Sequence, residues 1–154
     1  MKRLCVYCGS SNGNDRRFAE AAAALGNVMA AEGIDLVYGG GRAGLMGIVA
    51  DQVLQGNREV IGVIPRHLVD REAAHYGVTE LLEVETMHER KALMIDRADA
   101  FVALPGGLGT LEEISEVLSW AQLGLHSKPI GLLNVNGFYD PFLRFFDHLV
   151  DAGF

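Results

Sequence analysis

The chain has 154 residues, 49% of them hydrophobic and 21% charged, so it is long enough to bury a core and we expect one domain spanning residues 1–154. Its net charge of −7 argues against sequence-independent binding to nucleic acid, which requires a basic surface. The N-terminal apolar stretch is too short for a signal peptide, and no run approaches the roughly 18 apolar residues of a membrane span. We therefore expect a cytoplasmic protein with neither a nucleic-acid nor a membrane partner.

Apolar runs of strand length alternate with longer segments of helical period along the chain. Six strands are predicted, at 4–8, 35–38, 59–64, 81–85, 100–104 and 129–134. Five helices are predicted, at 15–32, 43–55, 88–98, 111–123 and 141–152, and residues 66–80 form an irregular loop with room for a short helix. This alternation predicts a Rossmann-like, doubly wound α/β fold with a mostly parallel sheet of about six strands and helices on both faces. The last helix shows no clear C-cap before Phe154, from which we expect that a natural C-terminal tail is missing.

The segment after the fifth predicted strand has the composition of a phosphate-binding loop. It reads PGGLGT from Pro105 to Thr110, at the end of the sheet where ligands bind in such folds. Three glycines in four positions let backbone N–H groups converge on one anion, and the N-terminus of the following helix adds its free N–H groups and its dipole. The alternative is a tight strand-to-helix turn without a ligand.

Glu113 permits two interpretations. The spacing Thr110-x-x-Glu113 matches a capping box in which Thr110 is the N-cap of the helix. The same position also places a carboxylate beside a bound phosphate ester, where a base or a nucleophile is needed for chemistry on the attached sugar. Glu112 points about 100° away around the helix and is expected to be solvated.

The second predicted strand runs into a glycine-rich segment, Gly39 to Gly47, that contains the GxGxxG pattern of dinucleotide-binding proteins. This pattern follows the second strand rather than the first. The acidic residue expected about 20 residues later is missing, because Pro65 and Arg66 stand there. A single phosphate, or close approach of the backbone to a sugar, therefore fits Gly40 and Gly41 better than NAD does.

The helix before the fifth strand carries four long side chains at helical spacing: Met87, Arg90, Met94 and Arg97. Two arginines and two methionines on one face suit a pocket that holds an anion and a flat base. The alternative is a solvated helix face.

Cys5 and Cys8 form a CxxC pattern, but on a strand they point to opposite faces and no further ligand pair accompanies them. We interpret them as buried structural thiols. The five histidines show no metal-ligand spacing, and we assign neither a metal nor a cofactor.

Four segments together make the chain resemble the LONELY GUY (LOG) family: PGGLGTLEE at 105–113, MHERK at 87–91, YGGGRAGLMG at 38–47 and CGSS at 8–11. The similarity extends from about Leu4 to the end of the chain and includes residues 120–140. Members of this family are cytokinin riboside 5′-monophosphate phosphoribohydrolases, and many have been labelled lysine decarboxylases. The resemblance implies hydrolysis of the N-glycosidic bond of a nucleoside 5′-monophosphate, either AMP or an N6-substituted AMP, by a protein that is at least a homodimer.

The resemblance also implies roles for individual residues. It makes Arg90 and Glu113 the catalytic pair, assigns Lys91 and Gly107 to Thr110 to the phosphate and ribose, and adds ligand contacts at Glu72 and Ser119. The loops and this resemblance together give the expected substrate-binding residues: Ser10, Gly40, Gly41, Glu72, Arg90, Lys91, Met94, Gly106, Gly107, Leu108, Gly109, Thr110, Leu111, Glu112 and Ser119.

Three other functions fit the sequence less well. Lysine decarboxylation would require pyridoxal phosphate on a Schiff-base lysine, and Lys2, Lys91 and Lys128 lack that context. A nucleotide-binding module without catalysis is a second hypothesis, although it does not need a carboxylate beside the phosphate. An NAD(P)-binding protein is the third and weakest.

Overall fold

The computed structural model describes all residues from Met1 to Phe154. Six strands form one sheet: β1 Arg3–Tyr7, β2 Asp35–Tyr38, β3 Val60–Pro65, β4 Glu80–Val84, β5 Ala100–Ala103 and β6 Ile130–Leu132. Their order is β4-β3-β2-β1-β5-β6, and every neighbouring pair is parallel. The predicted doubly wound α/β fold is confirmed.

Five α-helices connect and follow the strands: α1 Arg16–Ala31, α2 Gly44–Gln55, α3 Met87–Arg97, α4 Leu108–Gln122 and α5 Asp140–Asp151. The predicted loop after β3 contains a single 3-10 turn at Arg66–Leu68, and a second one lies at Val135–Gly137. None of the helices combines the length and the apolar character that a membrane crossing demands.

The sheet is covered on both faces, as predicted. One buried cluster joins the sheet to α1 and α2 through side chains such as Met29 and Val49, and the other joins it to α3 and α4 through Met94 and Ile114. Continuous burial along β2 and β3 explains why these strands are apolar without alternation. Cys5 and Cys8 are both buried, one in each cluster, as expected for residues three apart on a strand.

Helix α4 begins three residues earlier than predicted, at Leu108, and its N-cap is Gly107 without a side-chain cap bond. Thr110 therefore lies inside the first turn, and the predicted capping box is wrong. The helical turn forms despite Gly109, a poor helix former, because Thr110 packs into the interior and is only 4% exposed. Tertiary burial outweighs the local propensity here.

The end of α5 also differs from the prediction, because this helix has a C-cap. Gly153 adopts a φ of +87°, and the N–H of Phe154 donates to the carbonyl of Leu149, which is the Schellman arrangement. The sequence signal for this C-cap is the Ala152-Gly153 pair at the end of the helix.

The chain reverses its winding direction between β1 and β5. It builds β1, β2, β3 and β4 outward in one direction and then returns through α3 to place β5 on the other side of β1. The loops after β1 and β5 leave the sheet side by side and are joined by a 3.1 Å hydrogen bond from the Gly9 N–H to the Pro105 carbonyl. Ligands bind at such a switch point in open α/β sheets.

Candidate active site

A cavity of about 280 Å³ opens at this switch point. Eight of the predicted site residues line it: Ser10, Glu72, Arg90, Gly107, Leu108, Gly109, Thr110 and Glu113. They come from the loops after β1, β3 and β5 and from the first turns of α3 and α4. The cavity therefore collects residues that lie more than a hundred positions apart in sequence.

The N-terminus of α4 presents free hydrogen-bond donors. The first N–H of this region that bonds to the protein is that of Leu111, which donates to the Gly107 carbonyl at 3.1 Å. The N–H groups of Leu108, Gly109 and Thr110 have no partner in the protein. Three free donors at the positive end of a helix dipole can bind an anion such as phosphate.

The three glycines of this loop have different roles. A Cβ on Gly106 would collide with Thr110 and with the backbone of Gly9, so the fold itself requires glycine there. A Cβ on Gly107 or Gly109 would meet nothing within 4 Å. Glycine at these two positions leaves open space beside the free N–H groups, which is what close approach of a ligand requires.

Arg90 is held in place by the protein. It is 4% exposed, and its Nε and Nη2 donate to the carbonyls of Val63 and Gly39 at 3.0 and 2.7 Å. Nη2 also donates to Glu72 Oε2 at 2.9 Å, whereas Nη1 contacts only the sulfur of Met87 at 3.9 Å. One nitrogen of a fixed guanidinium thus retains free donors for a ligand.

Glu113 stands on α4 and reaches the same cavity. Burial raises the pKa of its carboxyl to about 7; Arg90 opposes this shift and Glu72 reinforces it. A carboxyl with a pKa near neutrality, in a cleft beside a fixed arginine, has the properties of a catalytic acid or base.

Lys91 does not line the cavity. Its side chain is 8% exposed, and its ammonium donates to the carboxylates of Glu112 and Glu116 on α4. Although burial lowers the pKa of Lys91, the hydrogen bonds that it donates to these two carboxylates outweigh this effect, and the pKa is raised. Glu112, predicted to be solvated, is therefore a partner of Lys91 and also lies outside the cavity.

Other predicted contacts also lie elsewhere. Gly40 packs against β3 and β4 with a φ of +77°, and Gly41 forms a bridge with Ala74. Neither lines the cavity at the switch point, because side chains and backbone of neighbouring residues such as Ile64 and Glu72 occupy the space around them. Met94 belongs to the core, and Ser119 lies on the exposed surface of α4. The expected common face of α3 thus divides: its first turn faces the cavity, and its later turns face the core and the solvent.

A second cavity of about 280 Å³ adjoins the first and shares Gly9, Ser10 and Gly107 with it. The predicted residue Gly106 lines this second cavity, together with Phe18 and Phe138, whose ring centroids lie 5.6 Å apart. Its walls carry no charged side chain, so the charge of the site is concentrated around Arg90 and Glu113.

Sequence reasoning missed Tyr7 and Cys8, which line the first cavity at the end of β1. The available signal was their position at the carboxyl end of a strand next to the switch point. Burial raises the pKa of the Cys8 thiol well above its usual range, so this thiol stays protonated and is a wall rather than a nucleophile. No group of three His, Cys, Asp or Glu side chains could hold a metal ion.

Known proteins are similar to this chain in sequence over most or all of its length. A family model described as "Possible lysine decarboxylase" matches residues 46–154. Over all 154 residues the chain is 58% identical to "Cytokinin riboside 5′-monophosphate phosphoribohydrolase LOG" of Oryza sativa subsp. japonica. It is 53% identical over the same length to "Cytokinin riboside 5′-monophosphate phosphoribohydrolase LOG2" of Arabidopsis thaliana. It spans 64% and 72% of the lengths of these two relatives.

The chain belongs to the LOG family. The lysine decarboxylase label attached to the matching family model finds no support in the cavity. The three lysines lie elsewhere. Lys2 is exposed, Lys91 on α3 is paired with carboxylates of α4, and Lys128 donates to the Ile95 carbonyl at 2.6 Å. A Schiff base with pyridoxal phosphate would need a lysine in the cavity.

Solved structures share the fold of this LOG-family chain. The molybdenum cofactor carrier protein from Chlamydomonas reinhardtii superposes with a TM-score of 0.74 at 22% identity, covering 99% of this chain and 85% of that one. The molybdenum cofactor binding protein from Rippkaea orientalis superposes with a TM-score of 0.67 at 22% identity, covering 86% and 76%. At these identities the likeness shows the fold alone.

Proposed function

We propose that this chain hydrolyses the N-glycosidic bond of a nucleoside 5′-monophosphate, a cytokinin riboside 5′-monophosphate or AMP, and releases the free base and ribose 5-phosphate. The observation that carries the proposal is Glu113. Its carboxyl has a pKa raised to about 7 and stands in the same cavity as the free N–H groups of α4 and Arg90. The names of the relatives agree with this reaction.

The phosphate binds at the N-terminus of α4, where the N–H groups of Leu108, Gly109 and Thr110 are free. Binding there fixes the ribose, because the phosphate is its 5′ substituent, and the positive end of the helix favours the dianion. A fixed ribose next to a carboxylate one turn along the same helix gains the rate advantage of correct orientation.

Glu113 acts in its ionised form. Cleavage of an N-ribosyl bond passes through a state with positive charge on C1′ and the ring oxygen, which a carboxylate stabilises, as in glycosidases. The carboxylate either activates a water molecule or attacks C1′ directly, and both routes require the same ionised group. The electron pair of the broken bond leaves with the base, which takes up one proton of the water molecule whose hydroxyl group ends on C1′.

Arg90 anchors the substrate. Its Nη1 has free donors, and Glu113 lies beyond hydrogen-bond reach of the guanidinium, so anchoring fits better than direct orientation of Glu113. Glu72 pairs with Arg90 and also reaches the cavity, where its carboxylate can accept a ribose hydroxyl. Ser119 remains a proposed contact.

The test is product release. The protein is incubated with AMP, GMP, CMP and N6-isopentenyl-AMP, and the free base is separated by chromatography. Base from at least one substrate is expected, and Glu113→Gln should abolish its release while AMP still binds. If no substrate yields base at high protein concentration, while AMP is bound and recovered intact, the chain is a nucleotide-binding module instead.

We also propose that the protein forms a homodimer. Large apolar side chains remain exposed at the end of α4 and on α5, among them Leu123 at 70%, Phe145 at 55% and Val150 at 76%. No residue of α5 is buried, although the helix carries four apolar side chains in its middle. Sedimentation equilibrium measures the mass, and a monomer at micromolar concentration would refute this. Cytoplasmic location stays a prediction from the sequence.

A further inference from the structure

Helices α3 and α4 each present two neighbouring residues with different tasks. On α3, Arg90 faces the cavity and Lys91 faces α4; on α4, Glu113 faces the cavity and Glu112 faces α3. The residue pairs are adjacent in sequence, about 100° apart around each helix. The ion pair between the helices and the catalytic pair across the cavity are therefore built on the same two turns.

The ammonium of Lys91 has all the partners that it needs. It is buried, and it donates to Glu112 and to Glu116, which are four residues apart and lie on one side of α4. To reach a phosphate in the cavity it would have to leave both carboxylates and travel around α3. A buried ammonium does not give up two carboxylate partners at low cost.

These two bonds are also the only hydrogen bonds between α3 and α4. Apolar packing in the buried cluster around Met94 and Ile114 also holds both helices to the sheet, but Lys91 makes the only polar connection between them. Because the carbonyls of Val63 and Gly39 fix the Arg90 guanidinium, its distance to Glu113 depends on where α4 lies, and Lys91 is the polar contact that holds α4 to α3.

We infer that Lys91 is a positioning residue, not a phosphate ligand: through Glu112 and Glu116 it fixes α3 against α4 and so sets the separation of the Arg90 guanidinium and the Glu113 carboxylate. This inference rests on the proposed function of the cavity. Loss of the connection should lower the turnover number, because a catalytic group displaced by about 1 Å can cost ~100-fold in rate. Affinity for the phosphate should change little, since its donors are on α4 alone.

Three variants separate the two roles. Lys91→Met removes the charge and leaves two unpaired carboxylates, and Lys91→Arg retains a donor for both. The triple variant Lys91→Met, Glu112→Gln, Glu116→Gln removes all three charges together. The matched control is Lys2→Met, which removes a cation whose ammonium is exposed and has no partner.

The measurements are the turnover number with AMP and, separately, the Kd of ribose 5-phosphate by calorimetry. A positioning role predicts a ~100-fold lower turnover number for Lys91→Met with ribose 5-phosphate Kd within about threefold of wild type. Recovery is expected in Lys91→Arg but not in the triple variant, which also lacks the connection. A phosphate ligand predicts instead a ~10- to 100-fold weaker Kd in both Lys91→Met and the triple variant, which would overturn the inference.

Amide hydrogen exchange gives a readout that needs no turnover. Lys91→Met and the triple variant should accelerate exchange in α3 and the first turns of α4, and Lys91→Arg should not. If wild type releases no base, the proposed function fails, while exchange and ribose 5-phosphate affinity still decide the role of Lys91. Unchanged exchange in Lys91→Met would refute the connection between the helices. If Lys91→Met does not fold, the triple variant and Lys91→Arg carry the same comparison.

Discussion

Arg90 pairs with Glu72, with 2.9 Å between Nη2 and Oε2, and forms no hydrogen bond with Glu113. The positive charge nearest to Glu113 is thus already partly neutralised. Burial therefore dominates and raises the pKa of Glu113 to about 7, with Arg90 lowering it and Glu72 raising it. The pairing leaves one carboxylate as a partner for the arginine and the other poised to exchange a proton at neutral pH.

The value of kcat/KM with AMP should fall as the pH drops below about 7, because only the ionised Glu113 can act as base or nucleophile. The phosphate of the substrate also titrates, near pH ~6. Binding of ribose 5-phosphate over the same range measures that second effect by itself. If kcat/KM and the affinity for ribose 5-phosphate fall together over the same pH range, protonation of Glu113 does not control the reaction.

Glu113→Gln should raise the free energy of unfolding at pH 8 and change it little at pH 4. The pKa of the folded carboxyl lies above its ordinary value, so this group favours folding only while it is neutral, and that contribution is lost as the pH rises toward 7. The shift from 4.5 to about 7 sets an upper limit of roughly 3 kcal/mol on the free energy gained. Urea unfolding at both pH values tests it, with the exposed Glu59→Gln as control. Equal effects at pH 4 and pH 8 would contradict the assignment.

Alanine substitutions should distinguish the roles of the glycines in the phosphate-binding loop. Gly107→Ala adds a methyl group to open space, so the melting temperature should hardly change, whereas affinity for AMP should fall ~10-fold or more because the group obstructs the ligand. In Gly106→Ala the added methyl group would collide with Thr110 and Gly9. This variant should lose about 1–3 kcal/mol of the free energy of unfolding and melt several degrees lower. Thermal scans and AMP titration measure both. Undiminished AMP affinity in Gly107→Ala would place the phosphate elsewhere.

His75 should prove important for the segment that carries Glu72. Its Nδ1 accepts from the Gly77 N–H at 3.2 Å, so the ring proton is on Nε2, which donates to Asp51 at 2.9 Å. His75→Ala should lower the free energy of unfolding by ~1–3 kcal/mol and reduce turnover, because the Glu72 segment loses its tether to α2. The exposed His88→Ala is the control. Identical unfolding curves for the two variants would show that the tether contributes nothing.

The sequence predicted the strands, their parallel pairing and half of the cavity residues, since these depend on local periodicity and on glycine spacing. Lys91 and Glu112 were assigned to the substrate because a sequence motif names neighbours without saying which way each side chain turns. The start of α4 was misplaced because Thr110 is buried by residues distant in sequence. Gly40 and Gly41 resembled a ligand loop, but glycine serves equally where backbones pack closely.

The place of β1 between β2 and β5 determines when the chain can complete its fold during synthesis on the ribosome. A nascent chain that has emerged only as far as α3 has one edge of β1 unpaired and lacks both the phosphate loop and Glu113. The cavity cannot exist until β5 docks against β1, so a nucleotide has nothing to bind before that step. On the proposed function, nucleotide would then favour completed molecules over partly folded ones, and its protection against proteolysis would grow once its concentration exceeds the Kd.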